Sequence, residues 1–186
     1  MHTVIWKRLD QEGHDACRFT HTGVGWIIDG TAVFEYSEQA ARLNYRLACD
    51  SRWASLQADI SGWIGKSAFH MSIERNGEDG WSVNGRNDSA LKGLSDIDLG
   101  FTPASNTNAI RRLNLRPSDE AESIAVWLDT EDWTVKPLRQ IYRRIHNNAF
   151  EYTSPQHEYH STLAVDDFGA VTEYPDLWLM LHQGKL

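Results

Sequence analysis

The chain has 186 residues, and its 18 Lys and Arg against 26 Asp and Glu give a formal net charge of 18 − 26 = −8. Such a balance repels nucleic-acid phosphates and anionic membrane surfaces, and no Lys/Arg run exceeds two residues, so neither is an expected partner. No apolar run approaches the ~18 residues of a spanning helix, no export-signal pattern opens the chain, and Cys17 and Cys49 build no disulfide framework, so one cytoplasmic domain over 1–186 without membrane insertion is expected.

Residues 3–9 (TVIWKRL) form a short β-prone run, followed by two strand-like runs with Asp29-Gly30 as a plausible hairpin turn between them. From 41 to 50, Ala41, Leu43, Tyr45, Leu47 and Cys49 share one face and Arg42, Asn44, Arg46 and Asp50 the other, the period of a half-buried antiparallel strand. The same alternation sets Ala54, Leu56, Ala58, Ile60 and Ile64 against Ser55, Gln57, Asp59 and Ser61, and then Phe69, Met71 and Ile73 against His70, Ser72 and Glu74. Asn76-Gly77, Asp79-Gly80 and Asn84-Gly85 punctuate short strands around Trp81.

The rhythm breaks at 94–115, LSDIDLGFTPASNTNAIRRLNL. Thr102 followed by Pro103 is a usable helix start, with a short helix over about 103–110 and a loop as the alternative. Strand resumes at Ile124, Val126 and Leu128. Segment 137–146 fits a helix (Leu138, Ile141, Tyr142, Ile145) or a strand, and Tyr159, Ser161, Leu163 and Val165 then alternate before a turn at Asp167-Phe168-Gly169. The pattern is mostly β with a minor helical part, a large antiparallel sheet that must cover its apolar face.

Asp96 and Asp98, at i and i+2, share one face of an extended segment roughly 6.6 Å apart, near the spacing of an inverting glycosidase pair, or serve as an Arg-paired strand end. Arg111-Arg112 could clamp an anionic group or pair with those aspartates, and on a strand only one of the two would face inward. His14, Cys17 and His21 cannot all reach one tetrahedral metal from a strand, and His157 and His160 fall on opposite faces, so no metal is expected. Nucleophile elbows and phosphate-cradling loops are missing, and no cofactor is expected. Eight tryptophans and six tyrosines serve either as core packing or as a groove of flat rings.

Five stretches carry a family resemblance: 94–115, Trp127-Leu128, PLRQIY at 137–142 with Gln140 and Tyr142, FEY at 150–152, and LAVDDFGAVTEYPDLW at 163–178. Together they resemble the "Putative glycolipid-binding" family. Where that family usually carries Leu-Pro before Ile-Arg-Arg, this chain has Asn108-Ala109, which removes a rigid turn. The resemblance implies a spiral β-roll, a long antiparallel sheet around a single helix near 103–112, with 137–145 as strand and often a homodimer. It also implies a fold like that of bacterial lipoprotein carriers, with a hydrophobic tunnel for lipid or glycolipid. A non-enzymatic binding protein for a lipid, glycolipid or similar amphiphile is therefore expected, with Asp96, Asp98, Asn106, Arg111, Arg112, Gln140 and Tyr142 as polar contacts. A tunnel packed shut with side chains would sink it. The competing readings are an enzyme acting on a sugar-like molecule through Asp96 and Asp98, and a dimeric scaffold without ligand.

Overall fold

A computed structural model describes residues 1–77 and 80–185. The first half of the chain supplies β1 (His2–Arg8), β2 (Gly13–His21), β3 (Gly25–Tyr36), β4 (Gln39–Asp50), β5 (Ser55–Ile64), β6 (Ser67–Asn76), β7 (Gly80–Val83) and β8 (Arg86–Asn87). After a 3-10 turn come β9 (Asp96–Leu99) and the helix α1 (Ala104–Leu113). The second half adds β10 (Glu120–Asp129), β11 (Thr134–His146), β12 (Ala149–Ser154), β13 (Tyr159–Val165), β14 (Val171–Tyr174) and β15 (Trp178–Lys185).

The fifteen strands of the described residues lie in one sheet, ordered β8-β7-β6-β5-β4-β3-β2-β1-β15-β14-β13-β12-β11-β10-β9. The first and last strands pair at its centre, and the two edges, β8 and β9, are neighbours in sequence. Laid flat, fourteen spacings of ~4.8 Å would hold those edges about 67 Å apart. The link from Asn87 to Asp96 reaches at most about 30 Å at ~3.3–3.6 Å per residue. The sheet therefore has to curl until its edges approach each other. It does not close: β9 forms its ladder with β10, while its approach to the far half is made at Ser55, whose N–H donates to Ser95 O (3.1 Å) and whose Oγ accepts from Ile97 N–H (2.9 Å).

Among the described residues, β9 and β10 are the one parallel pair in otherwise antiparallel ladders. A parallel pair needs a long crossover, and α1 lies within that connection. The result is the spiral β-roll around a single helix. Segment 137–146 falls within β11, with Pro137 facing Val126, so its strand alternative is the one adopted. Inward positions of successive strands, such as Trp6, Phe19, Ile28, Leu43, Ile60 and Ile73, are fully buried.

Two local expectations are corrected. Asp29-Gly30 is not a turn but the middle of β3, where Asp29 pairs with Arg18 at 3.0 Å. Gly30 is there for closeness: a Cβ would stand 2.4 Å from the Tyr45 hydroxyl oxygen and 2.7 Å from Ala16 O. The reversal falls at Ser37 (φ 49°) and Glu38 (φ 61°), a two-residue hairpin with both centres left-handed. The faces of 54–56 are also exchanged, since the β4–β5 register shifts between Ala48 and Cys49. That bulge turns Ser55 inward, fully buried, and leaves Leu56 42% exposed. Asn84 and Gly85 do form a left-handed turn, whereas Asp79 lies outside the described residues.

Phe101, fully buried, stacks on Phe34 (6.3 Å between centroids) and meets Tyr45 edge-on (5.7 Å) just before α1. Phe101→Ala is expected to cost about 3–5 kcal/mol. The check is a lowered urea midpoint at unchanged m-value.

Candidate functional site

The helix at the centre of the roll is unusual in being polar and buried together. Ala104 through Ile110 are all buried, including Ser105, Asn106, Thr107 and Asn108. Burial of such groups is tolerated only where hydrogen bonds replace water, and α1 is accordingly wired to the strands around it. It begins as the Thr-Pro pair suggests, shifted by one residue: Pro103 is the cap position, while Thr102 Oγ1 accepts the Ala104 N–H at 3.1 Å. Thr102 also donates to Asp15 Oδ2, which takes a second bond from the Tyr45 hydroxyl at 2.7 Å. Burial pushes the Asp15 carboxyl up to about 6, against the two hydroxyls that lower it.

The structure brings most of the sequence-named polar residues into this network. Asp96, at 1% exposure, takes both Nε (2.7 Å) and Nη2 (2.6 Å) of Arg112, and the Ser123 hydroxyl at 2.5 Å. Asp98 accepts from Ser105 Oγ (3.0 Å) and Gln140 Nε2 (2.6 Å), and Gln140 also donates to the Tyr152 hydroxyl (3.0 Å). Asn106 Nδ2 donates to the Tyr142 hydroxyl at 3.1 Å. Desolvation raises the Asp98 carboxyl, with Ser105 and Gln140 pulling the other way. Burial likewise raises the Tyr142 hydroxyl well above the phenol range.

Arg111 and Arg112 are on the last turn of a helix, not a strand, and only Arg112 turns inward. Arg111 is exposed and stands 5.5 Å over both the Trp53 and Phe168 rings. Among the remaining histidines, His157 sits in a 3-10 turn against Trp127, and His160 contacts Thr153.

An open cleft of about 400 Å³ lies beside the N-terminal end of α1. Its floor carries Asp98, Asn106 and Ser154, and its walls are the rings of Trp127, Tyr152, Tyr159, Tyr174 and Trp178. Ser154 is 3% exposed, and its Oγ has no partner among the described residues. Asp96 does not line this cleft, so the i, i+2 spacing of the two aspartates does not place a second carboxylate beside Asp98 there. A second open cleft, about 740 Å³, lies at the other end of the helix and is lined by Arg52, Arg111, Arg112 and Arg144. The space within the roll that a hydrophobic tunnel would need is taken by α1 and by buried rings such as Phe101, Tyr142 and Trp6.

Sequence reasoning missed the cleft walls as site residues. Trp127, Tyr152, Tyr174 and Trp178 stood inside the resemblance stretches, but only the curl of the sheet brings these separate strands to one opening. Ser154 carried no signal at all.

The chain belongs to the family described as "Putative glycolipid-binding", whose model matches residues 3–179. A crystal structure of a DUF1089 family protein from Pseudomonas aeruginosa is similar at a TM-score of 0.80 and 25% identity, over 90% of this chain and 91% of that one. A β-barrel-like protein of the domain of unknown function DUF1849 from Brucella abortus shares the fold at a TM-score of 0.51 and 10% identity, over 98% and 96% of the two chains. No curated protein matches the chain significantly.

Two outcomes test this wiring. Arg112→Met leaves Asp96 buried without its cation and should cost about 3–5 kcal/mol, partly recovered by adding Asp96→Asn; urea unfolding of the single and double variants reads both. Asp15, raised from 3.8 to about 6, contributes stability that is complete below pH ~4 and is lost as pH rises through about 6. The difference is on the order of 3 kcal/mol. Asp15→Asn should remove that part of the pH slope between pH 4 and 7, measured against the parent protein so that other carboxylates cancel.

Proposed function

We propose that the chain is a non-enzymatic binding protein for a lipid, glycolipid or similar amphiphile, and that the aromatic cleft takes the ligand's polar head. The observation that carries this reading is the pairing of flat rings with a hydrogen-bonded carboxylate and one unpartnered hydroxyl in one opening. Trp127, Tyr152, Tyr159, Tyr174 and Trp178 offer apolar faces, while Asp98 and the unpartnered Ser154 Oγ lie at its floor. Sugar rings present C–H faces that stack on aromatics and hydroxyls that donate to a carboxylate. A volume near 400 Å³ is within the range of small-molecule sites. Of the seven residues named from sequence, Asp98 and Asn106 line the cleft directly. Gln140 and Tyr142 hold those two in place, and Asp96 with Arg112 anchors the helix behind them. Arg111 belongs to the other cleft.

The filled interior narrows the proposal to recognition of a head group, without an acyl chain threaded through the roll. The same filling favours a second reading, a single-domain dimeric scaffold without ligand. Ile5, Leu179 and Leu181, exposed on the adjoining strands β1 and β15, would then supply part of a homodimer contact. In either case we place the protein in the cytoplasm; no helix among the described residues is long and apolar enough to cross a membrane.

Native mass spectrometry of gently purified protein, followed by organic extraction, separates the two. A stoichiometric amphiphile is expected, held roughly three- to tenfold more weakly by Trp178→Ala, the equivalent of about 0.5–1.5 kcal/mol of lost stacking. A clean dimer mass with no extractable ligand would transfer the assignment to the scaffold.

A further inference from the structure

The cleft at the C-terminal end of α1 differs in chemistry from the aromatic one, and nothing in the amphiphile reading uses it. Four arginines and two aspartates line it. Their charges are not spent alike. Arg112 is neutralised by Asp96. Arg144 is held by three carbonyl oxygens, Leu115 O (2.7 Å), His146 O (3.2 Å) and Asn147 O (2.6 Å), which fix its guanidinium without cancelling its charge. Arg52 and Arg111 have no carboxylate within 4.0 Å among the described residues.

The acidic side is already occupied. Asp166 Oδ1 accepts the N–H groups of Phe168 and Ala170 at 2.9 Å each, and Oδ2 takes Gln183 Nε2 (2.6 Å) and stands 2.9 Å from His2 Nε2. Asp167 accepts from Asn148 Nδ2 at 3.3 Å. Three unneutralised guanidinium groups against two aspartates leave a net positive opening on a chain of net charge −8.

Of the two unpaired arginines, Arg111 is also held by its side chain, and Arg52 is fixed at its backbone. Arg111 lies over the rings of Trp53 and Phe168, and its stem runs against Gly169, where a Cβ would come within 3.1 Å of Cδ. Gly169 has φ +95°, so a side chain there would be strained as well as crowded. Trp53, 5% exposed, is itself held at φ 70°, because Asp50 Oδ1 takes the N–H groups of both Arg52 (2.8 Å) and Ala54 (2.9 Å). That turn presents Arg52 on the rim next to the ring under Arg111. A bulky non-glycine residue in this region is strained, and here the strained turn sets the platform of an arginine whose donors are unused. A guanidinium stacked on rings keeps its edge free and forfeits little side-chain entropy on binding.

We infer that this cleft is a second binding site, for a phosphate-type oxyanion, with Arg111 as the principal contact and Arg52 and Arg144 completing the positive rim. The planar fork of Arg111 meets two anion oxygens at once. The oxyanion is either a free phosphate or the phosphate of a lipid head group.

The test is titration of the full-length protein, arginine Nε–H resonances observed by NMR, with inorganic phosphate and separately with phosphatidylcholine vesicles with and without phosphatidic acid. Saturable shifts of Arg111 and Arg52 with inorganic phosphate identify a free anion. Binding only to vesicles that contain phosphatidic acid identifies a head group. In both cases Arg111→Gln should weaken binding about tenfold or more, the loss of a charge-assisted bidentate contact. Arg143→Gln, which alters an arginine paired with Glu151 outside the cleft, should leave binding unchanged. Absence of binding to both probes overturns the inference, and so does equal loss from Arg111→Gln and Arg143→Gln, which would reduce it to general charge attraction. Because inorganic phosphate is titrated with no amphiphile present, and Arg111 lies outside the aromatic cleft, failure here is distinguishable from failure of the aromatic-cleft reading.

Discussion

The short link between β8 and β9 is the constraint on which the rest of this structure depends. Two antiparallel meanders share their central ladder, so their free edges would be far apart in a flat sheet, yet the chain passes from one to the other in a few residues. Curling is the consequence of connectivity, before any side chain is considered. Side chains then decide what fills the curl. β9 forms its ladder with β10 in parallel, so its crossover has to go somewhere, and the concave side of the sheet receives it.

A helix in that position would ordinarily be apolar on every side. Here it carries Ser105, Asn106, Thr107 and Asn108, and the surrounding strands answer the first, second and fourth with Asp98, Tyr142 and Ser55, while the Thr107 hydroxyl and Asn108 Oδ1 are buried without a hydrogen-bond partner among the described residues. Such a network is worth most when complete and costs most when broken, which makes the interior specific rather than merely greasy. It also aligns the helix so that its two ends meet two openings of opposite character. One end has rings around a carboxylate, and the other has guanidinium groups around an aromatic platform.

Much of the sheet was legible because one face of each strand is buried and the other wet. Residues 41–50 and 69–74 alternate in sequence as they do in space. The Ser37-Glu38 hairpin was not legible, since neither residue announces a left-handed turn, while Asp29-Gly30 announces one that the Tyr45 hydroxyl puts to another use. The buried Ser55 is a product of a bulge, and its reason lies more than forty residues away, in Ile97 and Asn108. Most polar residues of the candidate site stand in sequence as a dense local cluster at 96–112. Its aromatic half was not legible, because rings from residue 127 to residue 178 converge only through strand order, which no local pattern encodes.

The ladder between β1 and β15 joins residues 2–8 to residues 178–185. Each meander on its own is built from neighbours in sequence and can zip hairpin by hairpin, whereas this seam closes the longest loop the chain can make. On a ribosome, the first eight strands would wait with one flank open until the last strand emerged. Trp6, whose indole N–H reaches Val171 O at 2.6 Å, would spend that interval without its partner. The middle of the finished sheet is thus the last part of it to exist, and the exposed flank of β1 is where a half-made chain is most open to pairing with the wrong one.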